Sequence, residues 1–151
     1  MKKLMLALVF TAMIAVTFGF PSGWEVTGQI KVVKKSPGST YGHWSVSGYG
    51  IGGTISQSVY VPAGQYVMAV WCNGNGIFTL SNGNYSETKQ CDPSKRWPSL
   101  TFVSPALSNG VFTVSAKLRD GDRADMFCLY SASIDEGGCP PSLFINPSFE
   151  Q

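Results

Sequence analysis

The stretch spanning residues 55–71, ISQSVYVPAGQYVMAVW, constrains this chain more than any other. Two alternating runs flank a Pro-Ala-Gly turn and read as two antiparallel strands. In the first, Ile55, Val59 and Val61 fall on one face and Ser56, Ser58 and Tyr60 on the other; in the second, Tyr66, Met68 and Val70 alternate with Val67, Ala69 and Trp71. Side chains along a strand alternate with period two, so one face of each strand is set against a core. The opposite face of the second strand carries an indole, Trp71. That face is either an open platform or a second buried layer, and the function of the chain turns on which.

Residues 1–19 read as a secretory signal. Two lysines precede an apolar run over residues 4–18, and Thr17 and Gly19 are small enough for cleavage after Gly19. The run is too short and wrongly flanked for a stable membrane span. The mature chain is therefore expected to be secreted or held at the cell surface, with no membrane insertion. Two of the eleven Lys and Arg residues fall in the leader, leaving nine against nine Asp and Glu. Binding to nucleic acid or anionic lipid rests on clustered positive charge. Here Lys34-Lys35 and Lys95-Arg96 are only pairs, read as solvated strand ends, so nucleic acid is not an expected partner.

Roughly 130 residues remain, enough for one core of ordinary domain size. The Gly, Pro, Ser, Thr, Val and Tyr content points to short strands and tight turns. Strands are expected over 29–34, 43–47, 77–81, 100–103, 111–118 and 126–131 in addition to the hairpin, with Phe112, Val114, Ala116 and Leu118 facing inward. The glycine-rich GYGIGG at 48–53 lacks the spacing and following helix of a phosphate-cradling loop and reads as a bend. Helical periodicity is absent outside the leader. Four cysteines in an exported chain read as disulfides, because they lack C-x-x-C spacing and only His43 accompanies them. Of the three connectivities, Cys72–Cys91 would close a polar loop and Cys128–Cys139 would tie the last strand to the tail.

The order of motifs resembles carbohydrate-binding modules of the galactose-binding-like jelly-roll type (families 4, 9 and 22). The likeness rests on PSGWEVTG at 21–28, the central hairpin, Trp97 shortly before LTFV at 100–103, and VFTV at 111–114 followed by a closing strand. It covers residues 21–134. The resemblance implies an all-β, two-sheet antiparallel jelly-roll β-sandwich over residues 20–138 that binds a polysaccharide without changing it. It also implies a site on one sheet face or in the loops at one edge. Sugars present C–H patches between hydroxyls, which flat aromatics cover while amides orient the hydroxyls. The aromatic candidates are Trp71, Trp44, Tyr49 and Tyr85, with Gln57, Asn73, Asn75 and Asn84 as polar partners. Trp44 shares a face with Val46, which favours core packing; Tyr49 and Tyr85 sit in Gly/Asn-rich loops. Gln57 shares a face with Ile55 and Val59 and reads as a buried amide satisfied by backbone groups. Trp24 and Trp97 match structural positions of the resembled modules.

The tail, SLFINPSFE at 142–150, resembles the opening strand of another such module, preceded by the stiff Cys139-Pro140-Pro141. Residues 139–151 are accordingly read as a linker and the start of a second, truncated module; folding back to complete the first domain is the alternative. Asp120, Asp122 and Asp125 could supply oxygen ligands to a structural calcium, but they lie between two strands and read as a polar hairpin turn. No other cofactor is implied. A lone His43, no reactive serine motif, and Glu25 and Glu87 without evident partners give catalysis no support. The rival readings are a structural or adhesive spacer of a longer surface protein and a non-catalytic fragment of a glycoside hydrolase.

Overall fold

A computed structural model describes residues 23–34, 44–134, 142–145 and 147–149. The leader, His43 and Cys139 lie outside the described residues. The strands are β1 Glu25–Lys34, β2 Trp44–Val61, β3 Tyr66–Asn73, β4 Ile77–Asn82, β5 Tyr85–Gln90, β6 Ser99–Val103, β7 Gly110–Leu118 and β8 Arg123–Ser131. Every strand pairing is antiparallel. The all-β sandwich expected from the sequence is the architecture observed.

One difference explains how the two layers join. The segments 43–47 and 55–61, expected as separate strands, belong to a single 18-residue strand. Residues 53–61 of β2 pair with β7, whereas Val46 and Ser47 pair with β8. The strand thus leaves a first sheet, β5-β4-β7-β2, and enters a second, β2-β8-β3-β6, with β1 paired to its residues 44–48 and 53–56. The glycine-rich bend is the corner. Gly52 has φ +79°, and a methyl there would meet the Leu118 carbonyl, so only glycine allows β7 to cross so closely.

The alternation in β3 and β7 resolves as expected. Tyr66, Met68, Val70 and Cys72 from β3 and Phe112, Val114, Ala116 and Leu118 from β7 are buried in one core. Burying each of the Val, Leu, Met and Phe side chains among them contributes on the order of 1.5–3 kcal/mol before chain entropy is counted. Strand β5, YSETKQ, was not expected from the sequence. Its core-facing positions are Tyr85, Glu87 and Lys89 rather than aliphatic residues, as suits a sheet edge that must not template further pairing.

The tail departs from its linker reading. Leu143 N–H donates to the Leu129 carbonyl at 2.8 Å and Phe127 N–H to the Pro147 carbonyl at 3.0 Å. These bonds occupy the edge of β8 that β2 leaves unpaired. Phe144 and Phe149 are buried, and the Phe149 ring centroid stands 4.9 Å from Trp24 and 5.8 Å from Phe127. Gln57 holds the segment from the other side. Its Nε2 donates to the Ile145 carbonyl at 2.9 Å and its Oε1 accepts from Ile145 N–H at 2.6 Å. The buried, backbone-satisfied amide read from the sequence is therefore present, with the tail as its partner.

The Cys72–Cys91 disulfide is formed, with 6.1 Å between the Cα atoms. Cys128 is also disulfide-bonded.

Candidate functional site

Register places an unusual set of side chains on the outer face of the second sheet. On β3, burial alternates so that Val67, Ala69, Trp71 and Asn73 point away from the core. Trp71 is half-buried, which makes it neither a fully open platform nor a sealed core residue. Across β6 it stands opposite Ser99, and across β8 opposite Asp125. The next row reads Lys31–Ser47–Arg123–Asn73 over β1, β2, β8 and β3. Tyr49, two residues beyond Ser47 on β2, belongs to the same face at the corner, with Lys31 Nζ 5.6 Å from its ring centroid. Strand and residue spacings put Trp71 and Tyr49 roughly 16 Å apart, too far to stack on one sugar ring but spanning a short oligosaccharide.

Loops at the same end frame this face. Asp122, 4% exposed, accepts from Asn75 N–H at 2.7 Å through one carboxylate oxygen and from Arg119 N–H at 2.9 Å through the other. It clamps the β3–β4 loop to the β7–β8 turn and leaves the Asn75 side chain exposed. Cys72 N–H donates to the Pro98 carbonyl at 3.1 Å, bringing the loop that carries Trp97 against the end of β3. Trp97 is half-buried at φ 52°. A bulky residue in the left-handed region costs about 1–3 kcal/mol and is held there by its surroundings.

The sequence-derived candidates therefore separate. Trp71, Asn73 and Tyr49 share one face, with Asn75 in the adjoining loop. Trp44 packs partly against the core, on the same side as Val46, and so lies on the wrong face of β2 to join them. Tyr85 is not a loop tyrosine. It opens β5, leans on the core, and donates its hydroxyl to Glu87 at 2.6 Å. Burial and that bond push its phenol pKa well above the usual range. Glu87 also pairs with Lys89 at 3.1 Å, and Lys89 reaches the Thr101 carbonyl and lies over Phe102, bridging the two sheet edges. Tyr85 and exposed Asn84 border a shallow depression of about 490 Å³ at the β4–β5 turn, on the first sheet.

Arg123 was missed; Ser47, beside it in the row, is buried and its hydroxyl donates to the Gly48 carbonyl at 3.1 Å. Arg123 sits in a run of aspartates that reads as a turn, and only its pairing with Asn73 places it on this face. The three aspartates do not converge. Asp122 is committed to backbone amides, Asp125 is buried beneath the outer face and Asp120 is exposed. Among the described residues there is no group of three or more His, Cys, Asp or Glu able to hold a metal ion.

No family model and no curated protein matches the sequence. Solved structures do. TmCBM61, determined in complex with β-1,4-galactotriose, matches with TM-score 0.56 and 24% identity, over 75% of this chain and 91% of that one. The enzymatically active domain of bacteriophage CBA120 tailspike protein 4 matches with TM-score 0.51 and 12% identity, over 68% of this chain and 18% of that one. The Podospora anserina GH26-CBM35 β-(1,4)-mannanase matches with TM-score 0.50 and 12% identity, over 76% and 29%. The chain spans less than a third of either of the last two. Taken with the strand order and the layer-crossing β2, these likenesses establish that the chain has the fold seen in carbohydrate-binding modules.

Proposed function

We propose that this protein is an exported, non-catalytic carbohydrate-binding module that recognises a polysaccharide on the outer face of its second sheet. The indole of Trp71 stacks on a sugar ring, while Asn73, Ser99 and Asn75 orient hydroxyls and Tyr49 contacts the chain further along. One observation carries the reading: Trp71 points away from the core, into a row of polar side chains held on rigid strands. A binding surface of this kind needs little reorganisation, so the affinity lost to ordering is small. The shared fold with a module crystallised with β-1,4-galactotriose adds support.

The test is affinity electrophoresis and titration calorimetry of the mature domain against a polysaccharide panel, with Trp71→Ala beside it. Loss of a stacking aromatic at the centre of a site lowers affinity about thirtyfold or more. Binding that survives the substitution unchanged would move the site elsewhere. Absence of binding across the panel would leave a structural spacer as the better account.

A further inference from the structure

The site at Trp71 carries a feature that a neutral sugar does not require. We infer that its ligand is an acidic polysaccharide, a glycan whose uronic carboxylate is read by Arg123 with Lys31 in support. This rests on the proposal that the Trp71 face binds glycan, and it names the substrate class.

The argument starts from register. Ala124 is buried against Cys72 and Val46, so Arg123 points to the outer face. There it lies directly between Ser47 and Asn73, one row from Trp71. Among the described residues its guanidinium makes no hydrogen bond and no ion pair. It is half-buried, which costs solvation that nothing among the described residues returns. Lys31, in the same row, is exposed, with its Nζ over the Tyr49 ring and no ion pair among the described residues.

The acidic groups nearby do not neutralise them. Asp122 binds two backbone amides, and Asp125 is 1% exposed and engaged in contacts of its own in the next row. Asp120 is exposed on the turn, bridged to Gly48 at the end of the row, and makes no ion pair with Arg123 or Lys31. The accessible charge on the row is therefore positive, although the mature chain as a whole carries equal numbers of acidic and basic residues. A planar guanidinium donates two parallel N–H···O bonds to a carboxylate, a fit a lone hydroxyl cannot match. An indole beside that fork supplies the apolar contact for the ring bearing the carboxylate. Charge, geometry and stacking thus converge on a uronate.

The test compares galacturonan, glucuronan and alginate, each against its carboxyl-reduced counterpart, by affinity electrophoresis of the mature protein. Reduction changes only the carboxylate, so backbone and linkage are held fixed. At least one uronan is expected to bind about tenfold to a hundredfold more tightly than its reduced form. Arg123→Gln should erase most of that difference. Lys117→Gln, on the outer face of the first sheet, should leave it intact, and near-UV circular dichroism confirms that both variants fold. Binding as tight to the reduced chain overturns the inference, as does equal loss in the two variants, which would indicate general charge attraction. Neutral glycans bound through Trp71 with no acidic preference would sink this inference and leave the site standing. If no polysaccharide binds, both fall.

Discussion

Replacing Phe149 with alanine separates two readings of the C-terminal tail by several kcal/mol. As part of a linker, residue 149 would lie in solvent, and its truncation would change stability by no more than about 0.5 kcal/mol. In the structure it is fully buried between Trp24, at 4.9 Å, and Phe127, at 5.8 Å. Removing a buried phenyl ring loses its transfer free energy and leaves a cavity, together about 3–5 kcal/mol. That is a large share of the roughly 5–15 kcal/mol available to a domain. At about 4 °C per kcal/mol for a domain of this size, the melting temperature should fall by about 12–20 °C. Phe149→Leu, which keeps most of the volume, should lose much less.

Urea unfolding of the oxidised mature protein, followed by tryptophan fluorescence, gives the magnitude directly because Trp24 reports on the same cluster. The Gln57–Ile145 bonds add a second arm. Gln57→Ala strands the Ile145 amide and carbonyl, and because both changes loosen one segment, the double variant should lose less than the sum of the singles. A Phe149→Ala unfolding free energy within about 1 kcal/mol of the parent's would refute the claim that the tail completes this core.

Three further outcomes are expected. Trp71→Ala should change the urea midpoint far less than Phe149→Ala, because the indole is on the outer face; a comparable loss would show that it is a packing residue. Removing Cys72–Cys91, which closes a span of 19 residues, should cost about 3 kcal/mol by loop entropy, read as a lower urea midpoint for the Cys72→Ala/Cys91→Ala double variant with the Cys128 disulfide left oxidised. Glu87 is held below the usual carboxylate range by the Tyr85 hydroxyl first and Lys89 second. Its contribution is therefore complete above the unfolded carboxylate pKa of about 4.3 and is lost as pH falls through the lower folded value. The stability gap between parent and Glu87→Gln should be constant near neutrality and close in acid. A gap unchanged down to pH 3 would show that the carboxylate is not stabilised by those partners.

Sequence legibility followed the strength of the apolar pattern. Strands β3 and β7 were readable because their inward positions are almost all large and apolar, and Gln57 because it shared a face with Ile55 and Val59. Strand β5 was hidden by its own role: its inward residues are Tyr85, Glu87 and Lys89, so alternation carried no hydrophobic signal. The tail was hidden by distance. Its amide clamp joins residues 88 apart, and no local pattern announces such a pairing. For the site, Trp71 and Asn73 could be placed on one face by parity alone. Tyr49 could be joined to them only once β2 was seen to run unbroken through the glycine corner. Arg123 needed the full register, because its neighbours in sequence are aspartates while its neighbours in space are Ser47 and Asn73.

The two outer faces bear on where a ligand can bind. On the first sheet, two successive rows across four strands consist only of hydroxyl residues: Thr88, Thr79, Ser115 and Ser56, then Ser86, Ser81, Thr113 and Ser58. Several of these bond one another, with 2.9 Å between the Thr79 and Thr88 oxygens and 2.8 Å between those of Ser58 and Thr113. Short hydroxyl side chains suit a solvated pleated surface and leave it little to grip with. Tyr60 is the exposed aromatic there, and its hydroxyl accepts from Asn109 at 2.6 Å. The second sheet concentrates what the first lacks: an indole, a guanidinium and an amide on adjacent positions of β3 and β8. Strand β2 contributes to both faces, Ser56 and Ser58 to one, Ser47 and Tyr49 to the other, so the change in chemistry coincides with the glycine corner. A ligand that needs stacking and charge together has those groups gathered only on the second face among the described residues, and a graft of Arg and Trp onto β7 positions 113 and 115 would test whether the strand scaffold alone suffices to create a site.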